Sequence, residues 1–203
     1  REIAADPAEV EADVVYQVGA VAAFARAHGA ALTHVKPHGA LYSQAARDEP
    51  LARAIARGVA RFSRDLALVG LAGSLPMRRA AEAEGLRFAA EAFADRAYDG
   101  DGRLVPRSRP GALITDPASA AARALRIVCD HVVTSIDGAE VPMHADTLCL
   151  HGDNPHALAI ARAQRIDAII LDVVMPRIDG WSTLRALKDA EAIRKYSPLV
   201  RSV

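Results

Sequence analysis

The chain of 203 residues is poor in sulfur and in rings, with two cysteines, three methionines and an aromatic content of 4%. Cys129 and Cys149 have no CxxC spacing and no companions, which argues against a zinc site or a disulfide framework and leaves reduced thiols. Charge of neither sign prevails: 25 basic residues face 25 acidic ones. An electrostatic footprint for nucleic acid or for an anionic membrane is therefore not expected. No apolar run approaches the roughly 18 residues at which a segment could span a bilayer, and no signal-peptide pattern is read at the start. A GxxxxGK[ST] phosphate loop is missing, as is a GxGxxG following a strand. These absences point to a cytoplasmic protein working on small molecules. The first residue is Arg1 and a helix signal follows almost at once, so the chain reads as an internal fragment.

Hydrophobic residues make up 51% of the sequence, enough for one sizeable core. Asp6-Pro7-Ala8-Glu9 joins an N-cap acid to proline at the first helical position, and Gly29 supplies a stop, which predicts a helix over 7–28. Val14, Val18, Val21 and Ala25 give it a helical apolar stripe. Strands are expected near 31–35, 66–70, 87–92, 146–150 and 166–172, and further helices near 50–62, 75–84, 117–128, 155–164 and 181–191. Asp116-Pro117 and Asn154-Pro155 repeat the cap-plus-proline start. Asp137-Gly138, between Val132–Ile136 and Ala139-Glu140-Val141, signals a two-residue hairpin. The rest alternates strand with helix, which favours a parallel sheet with right-handed crossovers. Five or six strands are too few for a full barrel of typically ~250 residues. The fold class expected is α/β: an incomplete TIM-like βα barrel, with parallel strands, flanking helices and one hairpin.

Chemistry gathers where predicted strands end. Thr33–Tyr42 carries Lys36 and His38 on either side of Pro37, with Gly39 freeing the backbone for close approach to a ligand. The ammonium can hold an anion and the imidazole can move protons, while the plain alternative is a capped turn with exposed polar residues. His34 lies inside the strand and reads as a packed histidine. Asp95-Arg96 follows Glu91–Ala94, and could act on a ligand or form a local ion pair. His151-Gly152-Asp153 sets imidazole and carboxylate on one turn, fit to orient water, bind a divalent metal or position an amide. Asp153 could equally cap the helix after it. The stretch 94–111 is long for a loop in a compact domain, which suggests function or disorder. Its Arg96, Arg103, Arg107 and Arg109 could clamp a carboxylate or phosphate, or could be a solvated loop. His28, His131, His144 and His156 receive no role. In a parallel sheet these strand ends lie along one rim, where separated groups can meet a single substrate.

His34–Tyr42, Leu68–Ser74, Phe93–Tyr98, Leu104–Ser108 and Leu150–Asp153, in that order, resemble the LamB/YcsF family, which supplies one of the three subunits of bacterial 5-oxoprolinase, over residues 1 to about 164. The resemblance implies a βα-barrel-like domain related in shape to polysaccharide deacetylases. It implies ATP-dependent opening of 5-oxoproline to glutamate together with separate B and C subunits, and it leaves a homodimer and a divalent metal open. On this basis Lys36, His38, Asp95, His151 and Asp153 are the expected catalytic residues, with Arg96 and Arg107 holding the substrate's carboxylate. Family members carry further strands with acidic and histidine-containing motifs ahead of the matching stretch, and that part of the pocket has no counterpart in this sequence.

From about Arg165 the run Ile166–Trp181 resembles part of a response-regulator receiver domain, with Asp172 at the position that accepts a phosphoryl group. The acidic pair that binds Mg²⁺ and the later threonine and lysine of receivers have no counterpart, so phosphorylation of Asp172 is not expected. The domain division expected is 1–164, a partial barrel, and 165–203, a receiver-like fragment or fusion tail. Against the enzyme reading stand a fragment that binds ligand or partners without turnover, a receiver-like signalling module, and, by fold analogy alone, a metal-dependent deacetylase.

Overall fold

A computed structural model describes residues 4–149. They fall into two compact units: residues 4–92 with Asp101–Arg103 and Met143–Thr147, and Phe93–Gly100 with Leu104–Pro142, Leu148 and Cys149.

In the first unit, helix α1 (Pro7–Ala27) begins where the Asp6 carboxylate accepts the Ala8 N–H at 2.8 Å, and its chain leaves through Gly29 at φ 68°. Strand β1 is only His34–Val35, beginning three residues later than expected and ending as expected, with Pro37, which has no N–H for a ladder, shortly after it. A short helix not foreseen from the sequence, α2 (Gly39–Ala45), follows. Helix α3 (Glu49–Phe62), strand β2 (Ala67–Leu71), helix α4 (Leu75–Ala83) and strand β3 (Arg87–Phe93) continue the alternation. Asp48 and Ser74 cap α3 and α4 by accepting the Leu51 and Met77 N–H groups, each with proline in the first turn. Strands β1 and β2 pair in parallel, as do β2 and β3, with Ala67 opposite both His34 and Arg87. With β6 (Thr147–Cys149) the sheet order is β1-β2-β3-β6, the parallel sheet with flanking helices of an incomplete α/β barrel.

Residues Leu68, Ile55, Val59 and Met77 have no exposed surface, and Val10 and Val18 reach the same core from α1. The stripe on α1 is Val10, Val14 and Val18; Val21, expected to be in it, is exposed, as are Tyr16 and Phe24. A third valine at i+3 from Val18 turns past the narrow face that α3 covers. Helices α1 and α3 meet closely at Gly58, where a Cβ would stand 2.8 Å from the Val14 Cβ and 2.9 Å from the Glu11 carbonyl. Beside this contact the Glu11 carboxylate takes Arg57 at 2.7 Å and Arg61 at 2.9 Å.

The second unit folds the long stretch after β3 back on itself. Arg96 bridges to Leu113 and Tyr98 to Leu104, and Ala97, Val105 and Ala112 form a small core with Ile136 against it. Helix α5 (Pro117–Leu125) starts at Asp116, whose carboxylate accepts both the N–H and the hydroxyl of Ser119. It ends in a π turn, Arg126–Asp130, closed by His131 in the left-handed conformation at φ 54°. The expected hairpin is present as β4 (Val132–Thr134) and β5 (Glu140–Pro142), antiparallel with Val133 opposite Val141. Its loop is longer than the two residues read from Asp137-Gly138. Ser135 N–H bonds the Ala139 carbonyl at 2.8 Å, and the Ser135 carbonyl takes Gly138 N–H at 3.0 Å, which leaves Ile136, Asp137 and Gly138 as the loop. Gly138, at φ 87°, supplies the left-handed residue that a three-residue loop needs.

Replacing Gly58 by alanine should destabilise the protein by about 1–3 kcal/mol through overpacking of α1 against α3, visible as a lower urea midpoint at unchanged slope.

Candidate active site

Strand β1 delivers Lys36, and the three residues after it fix how the chain departs. Pro37 is buried and stops the strand, and His38 is extended at φ −121° as the residue before α2. Gly39 opens the helix at φ 63°, a conformation that costs an L side chain roughly 1–2 kcal/mol. The glycine is thus required by the turn itself. One turn into α2, Tyr42 is buried.

Strand β3 brings the opposing charge. Its last four residues, Ala90–Phe93, are all buried, and Glu91 among them is only 4% exposed. A carboxylate there must be paired, since burying it alone would cost several kcal/mol. Lys36 Nζ donates to Glu91 Oε1 at 2.6 Å, and Tyr42 Oη donates to Glu91 Oε2 at 2.9 Å. The same ammonium stands 5.6 Å from the centre of the Tyr42 ring, within cation–π range. The backbone carbonyl of Glu91 accepts Ala72 N–H at 2.9 Å, which holds the residue from behind. Lys36 keeps 28% of its side chain exposed against 6% for Glu91, so the lysine is the more accessible partner of the pair. His34, beside it, is half-buried, with Nδ1 2.9 Å from the Thr33 hydroxyl. Burial, and then the Lys36 charge, hold its imidazole below the ordinary value of 6.5, against an opposing pull from Glu91.

The second unit holds Asp95 and Arg96, 3% and 8% exposed, in the turn after β3. Arg96 Nη2 donates to the Val105 carbonyl at 2.7 Å, while its Nε, also buried, has no hydrogen-bond partner among the described residues. Burial and the charge of Arg107 lower the Arg96 pKa, and Asp95 works against both. The remaining arginines of the stretch are exposed. Arg103 pairs with Asp101 and Arg109 with Asp137. The stretch 94–111 is thus a folded loop with its own small core.

Of the residues expected from the sequence, Lys36 is in a paired cluster, and His38 is exposed at the turn next to it. Asp95 and Arg96 are buried neighbours in the other unit, with Arg107 exposed. His151 and Asp153 lie outside the described residues, as does everything from Leu150 onward, including Asp172. His34 is packed, as its place in the strand suggests. Sequence reasoning missed Glu91 and Tyr42. The signal for Glu91 was a lone acid in Phe88-Ala89-Ala90-Glu91-Ala92-Phe93, a run otherwise suited to full burial. Tyr42 left no such mark, because it reaches Glu91 only through the unforeseen α2.

Among the described residues no three histidine, cysteine or acidic side chains are grouped to hold a metal. Cys129 and Cys149 form no disulfide with each other, and no described helix is long and apolar enough to cross a membrane.

Comparison with known proteins locates this arrangement. The LamB/YcsF family model matches residues 1–172. The chain is 51% identical over 181 residues to the 5-oxoprolinase A subunit of Methylococcus capsulatus, covering 89% of this chain and 69% of that one. It is 55% identical over 165 residues to the 5-oxoprolinase A subunit of Thermus thermophilus, covering 81% and 66%. It thus spans about two thirds of the length of these relatives. The crystal structure of a lactam utilization protein from Thermus thermophilus superposes with a TM-score of 0.73 at 46% identity, over 94% of this chain and 68% of that chain.

The lowered His34 pKa fixes a pH dependence. Between the unfolded value near 6.5 and the lower folded one, only the unfolded chain takes the proton, so stability is full above that window and falls as pH drops through it. His34→Gln should flatten this acid-side loss in urea unfolding between about pH 7 and 5, a range set by the ordinary histidine value.

Proposed function

Because the chain belongs to the LamB/YcsF family, we propose that it serves as the A subunit of an ATP-dependent 5-oxoprolinase, acting in the cytoplasm with separate B and C subunits. The observation that carries this reading is the identity of about half, over most of the chain, to relatives named as the A subunit of 5-oxoprolinase. Likeness to a lactam utilization protein supports the same substrate chemistry.

The reaction has a clear physical demand. A five-membered lactam is a resonance-stabilised amide whose hydrolysis product recloses readily, so opening it needs a coupled source of free energy. Transfer of the γ-phosphoryl group of ATP to the lactam oxygen would turn a poor electrophile into a good one. Water then adds to the ring carbon, the C–N bond breaks with the nitrogen leaving as the amine on a proton from that water, and a second water hydrolyses the resulting acyl phosphate to the carboxylate and inorganic phosphate. Glutamate, ADP and phosphate are the products.

Among the described cations, Arg103 is tied to Asp101, Arg109 to Asp137 and Arg126 to Glu140. We therefore assign the ATP step to the assembly and derive no role in it for these side chains. What this chain can supply is the handling of the lactam. Lys36 offers a positioned cation, and exposed His38 stands one turn residue away as a proton carrier. Asp95, with Arg96 and Arg107, supplies charge in the second unit, and His151 and Asp153 complete the proposed set from the sequence.

Mixing the chain with B and C subunits, ATP and 5-oxoproline should release glutamate with ADP. His38→Ala or His151→Ala should abolish that release, a loss of about 10²-fold or more if either histidine carries the proton. Binding of the partner subunits without any glutamate would instead support a non-catalytic binding fragment, and near-normal turnover in both variants would remove the histidines from the mechanism.

A further inference from the structure

Glu91 has no role in the sequence reading, yet it is buried and firmly held. Both of its oxygens are engaged by residues from the turn after β1 and from α2, and its carbonyl is engaged from the loop after β2. Two separate segments thus converge on the carboxylate, and a third on the backbone of the same residue. A glutamate needed only to fill the strand would be better replaced by an apolar residue of like volume, as buried ion pairs often can be. The partly exposed partner is the informative part. Only three of the 25 basic residues are lysines, and Lys36 is the single lysine among residues 4–149. An ammonium is a compact point donor on a flexible stem, and it becomes a precise tool only when something fixes it. Glu91 fixes it from below at 2.6 Å and the Tyr42 ring flanks it at 5.6 Å.

The charge balance says what such a tool can do. Lys36 and Glu91 together are neutral, so the pair exerts little long-range pull on a carboxylate. At contact distance, however, a charge-assisted N–H donor held in place is well suited to a carbonyl oxygen on which negative charge develops. We propose that Glu91 is a positioning residue acting through Lys36, that Tyr42 locks its second oxygen, and that Lys36 Nζ donates to the lactam carbonyl oxygen rather than to the substrate's carboxylate. This rests on the 5-oxoproline reading above and deepens it.

Competitive amine labelling of Lys36 in the full chain, read by mass spectrometry, tests the idea alongside calorimetry with 5-oxoproline. The expected result is that 5-oxoproline slows labelling of Lys36 and that 2-pyrrolidinone, a lactam with no carboxylate, does so too at saturating concentration. In ligand-free Glu91→Gln, Lys36 should label about tenfold faster as the charge-assisted hold is lost. Tyr42→Phe, which keeps the ring and frees one Glu91 oxygen, should give a smaller increase and serves if Glu91→Gln fails to fold. Lys36→Met and Glu91→Gln should be non-additive in 5-oxoproline affinity, since each breaks the same contact.

Protection by 5-oxoproline alone would overturn the carbonyl assignment in favour of a carboxylate anchor. Calorimetric binding with no protection of Lys36 would overturn the inference while leaving the substrate reading intact. Unchanged labelling in both variants, or additive effects in the double variant, would overturn the positioning role of Glu91. A wild-type chain that binds no 5-oxoproline would overturn the substrate reading, and the inference with it.

Discussion

A carboxylate placed inside an apolar strand has to be matched, and the matching of Glu91 organises the first unit's functional edge. Lys36 and Tyr42, six residues apart in sequence, come to it from the end of β1 and from α2, with Pro37, His38 and Gly39 directly after the lysine. Each of those three residues has a conformational task. The proline ends β1, the extended histidine leads out, and the glycine takes the positive φ that turns the chain into α2. Without that turn the tyrosine would not face the strand that carries the glutamate. The strongest sequence motif of the chain is in this sense a device for satisfying one buried acid.

The fold was largely legible because its local signals agree with one another. Asp6 and Asp116 cap helices in the structure as their positions suggest, and prolines in the first turns set the starting points. The apolar runs at Ala67–Leu71 and Arg87–Phe93 became parallel strands, as an alternation of strand and helix implies. What escaped was short or terminal. β1 lost Ala31, Leu32 and Thr33 from the start of the expected strand, and α2 has no cap side chain and no long periodic stripe to announce it. Gly138 was recognised as a turn residue, but the hydrogen bonds of Ser135, which decide the loop length, cannot be read from composition.

The site was legible in part, for a related reason. Strand ends drew attention to Lys36, Asp95 and Arg96: the structure pairs the lysine with Glu91, bonds Arg96 to the Val105 carbonyl and buries Asp95. Glu91 and Tyr42 escaped because their importance is relational: a glutamate in a strand and a tyrosine in a helix mean little until a third element brings them to one lysine. The arginine loop stands, in sequence, between a clamp and a solvated stretch. Four cations could form one clamp, but Arg96 is buried beneath the Val105 carbonyl while Arg103 and Arg109 each answer a nearby aspartate.

The contact between α1 and α3 has a mechanical corollary. At Gly58 the missing side chain makes a notch that Val14 and the Glu11 carbonyl occupy, and the Glu11 carboxylate grips Arg57 and Arg61, one turn apart, along the same flank. A notch resists sliding along the axis, and a two-pronged grip resists rolling about it. Helix α1 is therefore indexed to α3 in both senses, and a force on either should carry the two as one strut.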